Sequence, residues 1–229
     1  MAGMSPNARM LVTALAGTAT LCAAAPASAR VVELGRTEPV TAPSCPADPC
    51  QSVSRTTGYQ VSAGASDNVF LAPANGRVVA WSITLGRPTN AQQEFFTERL
   101  GGAASAGITV LRPGPRLTAR VLSRSPVQRL SPYFGRTVQF PLVRSLRVRK
   151  GHVVALTVPT WSPSLSLNLG RDYSWRATRR NRPRSRCLDT GMQTAQQRIG
   201  SLARFLCRYP TARLTYTATM VTSPPRGRR

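Results

Sequence analysis

The stretch Leu146–Trp161, LRVRKGHVVALTVPTW, decides how this chain is read. Leu146 and Val148 alternate with Arg147 and Arg149. That period of two is the mark of a strand with one apolar and one polar face. Lys150-Gly151 then offers a reversal, because glycine takes positive φ without steric cost. Val154, Leu156 and Val158 alternate on the way back, and Pro159 ends the run because it cannot donate to a ladder. The expectation is a β-hairpin with one face in a core and a basic outer face.

The pattern repeats on both sides. Short strands are expected at Thr57–Val61 and Val69–Leu71, with a turn at Asn75-Gly76. Along Arg77–Leu85, Val79, Trp81, Ile83 and Leu85 fall on one face, so Trp81 reads as core. One helix follows: Thr89 and Gln92 form a capping box, Ala91, Phe95, Phe96 and Leu100 an apolar patch, and Gly101-Gly102 a stop. Strands resume at Ile108–Leu111, Arg116–Arg124, Val138–Leu142, Leu165–Leu169, Arg204–Tyr209 and Arg213–Val221. In the last, Leu214, Tyr216, Ala218 and Met220 are expected inward, with Arg213, Thr215 and Thr217 outward. About ten short strands with turn residues between them point to an all-β, jelly-roll-like antiparallel β-sandwich with one short helix; a closed β-barrel is the alternative.

Residues 1–29 read as a signal peptide. Arg9 precedes the apolar run Met10–Ala25, and Ala27-Ser28-Ala29 is a cleavage signal, making Arg30 the expected first mature residue. The run is short for a membrane span, Leu21 before Cys22 argues against lipidation, and no later stretch is a transmembrane candidate. Residues 30–54 form a Pro-rich opening segment, 55–222 the sandwich domain and 223–229 a basic tail without structure. Secretion agrees with the even count of remaining cysteines, Cys45, Cys50, Cys187 and Cys207, which reads as two disulfides. Local pairing, Cys45 with Cys50 and Cys187 with Cys207, is preferred among three possibilities. A zinc site lacks a CxxC pair, and Asp67-Asn68 falls far short of a calcium shell, so no metal and no cofactor is expected.

The chain has 31 Lys+Arg against 8 Asp+Glu. Without Arg9 the count is 30 against 8, or +22. Such a balance favours polyanions as partners: anionic polysaccharide, cell-wall polymer, lipid surface or nucleic acid. Lys150 is the only lysine, and codon composition explains that bias as well as chemistry does.

The runs RTTGYQV (Arg55–Val61), LAPANGRVVAWSITL (Leu71–Leu85), LSPYFG (Leu130–Gly135) and LRVRKGHVVALTVPTWSP (Leu146–Pro163) resemble a family of exported proteins of high-GC soil actinobacteria. The resemblance covers most of Cys50–Val221. It implies a compact extracellular domain and no assigned activity. In that family an acid usually follows the glycine turn, where this chain has His152.

Candidate sites are few. A Ser-His-Asp arrangement must use His152, the only histidine, at an exposed turn with no acid nearby. A glycosidase needs two converging carboxylates, and the eight acids are scattered; Glu94 and Glu98, the close pair, read as a solvated helix edge. The better candidates are basic. Arg116, Arg120 and Arg124 recur every four residues, about 13 Å apart along an extended strand. Arg171–Arg186 holds seven arginines in sixteen residues with Tyr173 and Trp175 among them. Aromatic faces beside Arg171, Arg176, Arg179 and Arg180, with Trp161 framed by prolines, suit sugar rings or bases and their anionic groups. The opposing readings are an end cap of the core with hydrated arginines, and a charged strand face. The function expected is therefore a secreted, non-catalytic binding domain for anionic cell-surface or extracellular glycans and polymers. The alternatives are a structural or interaction protein of the cell exterior and, more remotely, a glycoside hydrolase.

Overall fold

A computed structural model describes residues 28–179, 187 and 194–224. Residues 1–27 of the expected leader, 180–186, 188–193 and the basic tail from residue 225 lie outside them. The strands are β1 (Val31–Leu34), β2 (Val53–Ala63), β3 (Ser66–Asp67), β4 (Gly76–Thr84), β5 (Ser105–Pro113), β6 (Thr118–Arg124) and β7 (Gln128–Arg129). They continue with β8 (Thr137–Val148), β9 (Val153–Ser162), β10 (Leu165–Ser166), β11 (Ser174–Arg179), β12 (Leu202–Pro210), β13 (Arg213–Leu214) and β14 (Tyr216–Thr222). Helix α1 (Asn90–Arg99) is the one α-helix among the described residues. Thr89 caps it through the expected reciprocal pair with Gln92, but its apolar patch is narrow: Phe96 is buried and Phe95 exposed.

The chain is an all-β antiparallel sandwich. The smaller sheet runs β1-β14-β4-β8, and the core of the larger one runs β2-β9-β5-β6. Numbering these eight strands along the chain, the orders are 1-8-3-6 and 2-7-4-5, which is jelly-roll connectivity. Hairpin β11–β12 is inserted before the last strand: β11 bonds the β2 edge and β12 the β6 edge. The larger sheet therefore curls until its edges meet, which is the only part of the closed-barrel alternative that survives, and no edge of that run is left to recruit another chain.

The core between the layers is apolar. Trp81, Ile83, Leu214, Tyr216, Ala218 and Met220 face Val154, Leu156 and Val158. Phe70 stacks on Tyr216 at 4.0 Å, and the Tyr216 hydroxyl donates to the Val154 carbonyl at 2.9 Å. Within the curl, the hydroxyls of Thr57, Thr157 and Thr109 form a chain at 2.9 and 2.6 Å. Their mutual bonds satisfy polar atoms that water cannot reach.

Three expectations need correction. Leu146–Trp161 is not a hairpin: β8 pairs β4 in the smaller sheet, whereas β9 pairs β2 and β5 in the larger one. The Lys150-Gly151 turn, with Gly151 at φ +85°, carries the chain from one layer to the other. The opening segment is not wholly outside the sandwich, because β1 pairs β14 along Val31–Leu34. Val69–Leu71 forms only a bridge, Leu71 to Val153. The two disulfides are Cys45–Cys50 and Cys187–Cys207.

Candidate functional site

The strand read as Arg116–Arg124 begins at Thr118. Arg116 and Leu117 sit in a short 3-10 turn with φ of 54° and 58°, so the arginine leaves the row and Leu117 is 42% exposed instead of core. From Thr118 the alternation holds, with Ala119 and Val121 buried and Arg120 outward. A register shift then precedes Arg124, which lies opposite Thr109. The regular spacing of three arginines is thus broken at both ends by backbone geometry.

What the sheet assembles instead is a set of opposed arginines from three strands. Arg112 of β5 stands directly opposite Arg120 of β6, and Arg120 opposite Leu202 of β12. Arg204 lies two residues further along the same face of β12, and all four side chains are exposed. Directly opposed side chains are about 5 Å apart at Cβ, and like charges there repel. No acid occurs in β5, β6 or β12. Arg120 donates to the Gly200 carbonyl at 2.8 Å, which fixes one guanidinium of the set. In backbone register Arg179 lies opposite Arg204, and Arg176 opposite Arg208, so the basic positions continue onto β11.

A second opposed pair, Arg77 and Arg147, stands on the smaller sheet. There Arg77 turns onto Ser145, donating to its hydroxyl and, at 2.8 Å, to its carbonyl.

The aromatic platform expected from Trp161, Tyr173 and Trp175 is not formed. They are 1%, 8% and 5% exposed. Trp161 packs against Phe96 and Phe134, and its Nε1–H donates to the Gly102 carbonyl at 2.9 Å. Trp175 stacks on Tyr209 at 4.3 Å and lies over Gly58, where a Cβ would meet its ring at 2.8 Å. For Trp175 the physical reason is that β11 is paired on both sides, between β2 and β12, so that its ring is covered by neighbouring strands. Among the arginines named with them, Arg171 is exposed, Arg176 donates to the Phe205 carbonyl at 3.2 Å, and the Arg179 side chain and all of Arg180 lie outside the described residues.

Sequence reasoning missed Arg112, Arg204 and Arg213. Arg112 lies one residue beyond the strand expected at Ile108–Leu111; β5 runs on to Pro113, and neither that extension nor the partner across the sheet is marked in the sequence. Arg213 was expected outward and is 6% exposed, with its guanidinium donating to the Gly35 carbonyl at 3.0 Å and the Pro39 carbonyl at 3.5 Å. Burial lowers its pKa, against the pull of Tyr173 and Glu38.

His152 accepts the Arg149 backbone N–H at Nδ1, 3.2 Å away. Burial first, then the charges of Arg149 and Arg112, push its pKa below 6.5. Glu94 and Glu98 are exposed on α1. Among the described residues no three His, Cys, Asp or Glu side chains gather as metal ligands, and no helix is long and apolar enough to cross a membrane.

No family model, no curated protein and no solved structure matches this chain, so its function is argued from its own residues.

Proposed function

We propose that this chain is a secreted, non-catalytic domain that binds anionic polymers of the cell exterior, such as acidic polysaccharide or wall polymer, through the arginine face of its larger sheet. One observation carries the reading: Arg112, Arg120 and Arg204 are brought together outward across three strands without a carboxylate among them. That arrangement costs repulsion in the free chain, and a polymer with repeated negative charges relieves it at several positions at once. Guanidinium groups also bind carboxylate and phosphate through paired N–H donors. The two disulfides support an oxidising exterior. With the three aromatics packed away, ring stacking is left out of the mechanism, and recognition rests on charge and spacing.

The test is a binding screen of Arg30–Arg229 over polygalacturonate, a glycerol-phosphate polymer and duplex DNA, at low and at physiological salt. Retention of one polymer class at the higher salt, lost in the triple variant R112S/R120S/R204S, is the expected result. Indiscriminate binding that disappears with salt and ignores the variant would favour a structural protein of the exterior with no specific ligand.

A further inference from the structure

On the opposite layer, a cleft of about 100 Å³ opens between the segment Arg36–Thr41 and the outer face of the smaller sheet. Its floor is Thr84, Thr137 and Thr215, and its walls include Arg36, Thr37, Thr41 and Arg213. The floor hydroxyls are engaged: Thr84 bonds Thr137 at 2.9 Å, and Thr215 donates to the Thr84 carbonyl at 2.7 Å. The wall is different. The Oγ1 atoms of Thr37 and Thr41 are buried, and neither has a hydrogen-bond partner. Buried hydroxyls without partners are uncommon, because they have given up water for nothing.

Arg213 sharpens the point. It is almost wholly buried, yet the acceptors that meet it are two neutral carbonyls, of Gly35 and Pro39. A guanidinium has five N–H donors, so donors remain once those two bonds are made. The carboxylate that acts on it is that of Glu38, an exposed side chain that makes no hydrogen bond to it. A buried cation of this kind is stabilised by an anion that accepts its remaining donors. Arg36 adds a second positive charge at the cleft.

We infer that this cleft binds one tetrahedral oxyanion, phosphate or sulfate, held by Arg213 and Arg36 with the hydroxyls of Thr37 and Thr41. Both Oγ1 atoms are buried, so each has to turn about χ1 to meet an occupant, and threonine has more than one staggered well for this. A cleft this small and open to solvent admits a single oxyanion. Glu33 accepts a hydrogen bond from Thr217, whose side chain lines the cleft, and Glu38 acts on Arg213, so a second anion beside the first is disfavoured. The site shares no residue with the arginine face of the other sheet and does not rest on the polymer reading.

The test is calorimetric titration of Arg30–Arg229 with inorganic phosphate, inorganic sulfate and glycerol 1-phosphate, at ionic strength held constant with chloride. Arg213 stays in place, because its buried guanidinium ties down Gly35 and Pro39. The variants are R36S and T37V/T41V, with melting temperature measured alongside. Saturable binding of one oxyanion per chain is expected, weakened at least tenfold in both variants while their melting temperatures stay within a few degrees of the parent. R112S/R120S/R204S is expected to bind the ion as the parent does. Equal or tighter binding of glycerol 1-phosphate assigns the site to an ester carried by a polymer or lipid, and preference for the inorganic ions assigns it to the free anion. Absence of saturation, equal affinity in R36S and T37V/T41V, or loss in the arginine-face variant alone would overturn the assignment.

Discussion

At the scale of single residues, close approach and burial make the sharpest predictions. Gly58 has no room for a methyl group, since Trp175 and the Arg176 carbonyl lie 2.8 and 3.0 Å from where a Cβ would stand. G58A is expected to lose about 1–3 kcal/mol, measured by urea unfolding, because the ring or strand must shift. Leu156 lies 1% exposed between the layers, and L156A is expected to cost about 2–5 kcal/mol as a cavity. A loss under about half a kcal/mol would contradict its place in the core. His152 gives a pH prediction. Its folded pKa is depressed below 6.5, so the unfolded chain takes up the proton more readily. Its contribution to stability is therefore complete above about 6.5 and is lost as pH falls through the folded value. Between about pH 7 and pH 5 the urea midpoint of the parent should fall more steeply than that of H152N. Parallel curves would remove His152 from the account.

At the scale of elements, alternation in the sequence reported which side chains turn inward more faithfully than which strands pair. Leu146, Val148, Val154, Leu156 and Val158 all lie in the core, as their period implies. The pairing was misread because a two-residue turn between alternating runs looks the same whether the chain folds back in one sheet or passes to another. Burial tells them apart: all six residues from Val153 to Val158 are buried, as befits a strand covered on both faces. Trp175 was read as a binding aromatic for a related reason, since nothing local announces that β11 closes the larger sheet. Arg213 was read as wet because period alone cannot show that Arg36–Thr41 covers the outer face there. By contrast the capping box was legible, because its chemistry is local, and T89A is expected to cost about 1 kcal/mol. At Gly151, φ is +85° and nothing lies within 4 Å of an added Cβ. G151A should therefore show only the backbone cost, about 1 kcal/mol.

At the scale of the whole molecule, strong positive charge is spread over both layers, but among the described residues the larger sheet brings together Arg112, opposite Arg120, and Arg204 from a third strand, with no acid in those strands. On the smaller sheet the comparable set is a single pair, Arg77 and Arg147, with Arg77 turned onto Ser145. Net charge alone predicts loose attraction to any polyanion, and the same for any three arginines removed. The arginine face predicts dependence on place. The deciding measurement is the salt dependence of binding to polygalacturonate for the parent, for R112S/R120S/R204S, and for R136S/R144S/R147S, which removes equal charge from exposed positions elsewhere. Each contact made to a charged polymer adds to the slope of log affinity against log salt, because counterions are released. The account predicts a slope lower by about two to three and an affinity down at least tenfold in the first variant, with the second close to the parent. Equal losses in the two variants would show that net charge, not the arginine face, does the binding.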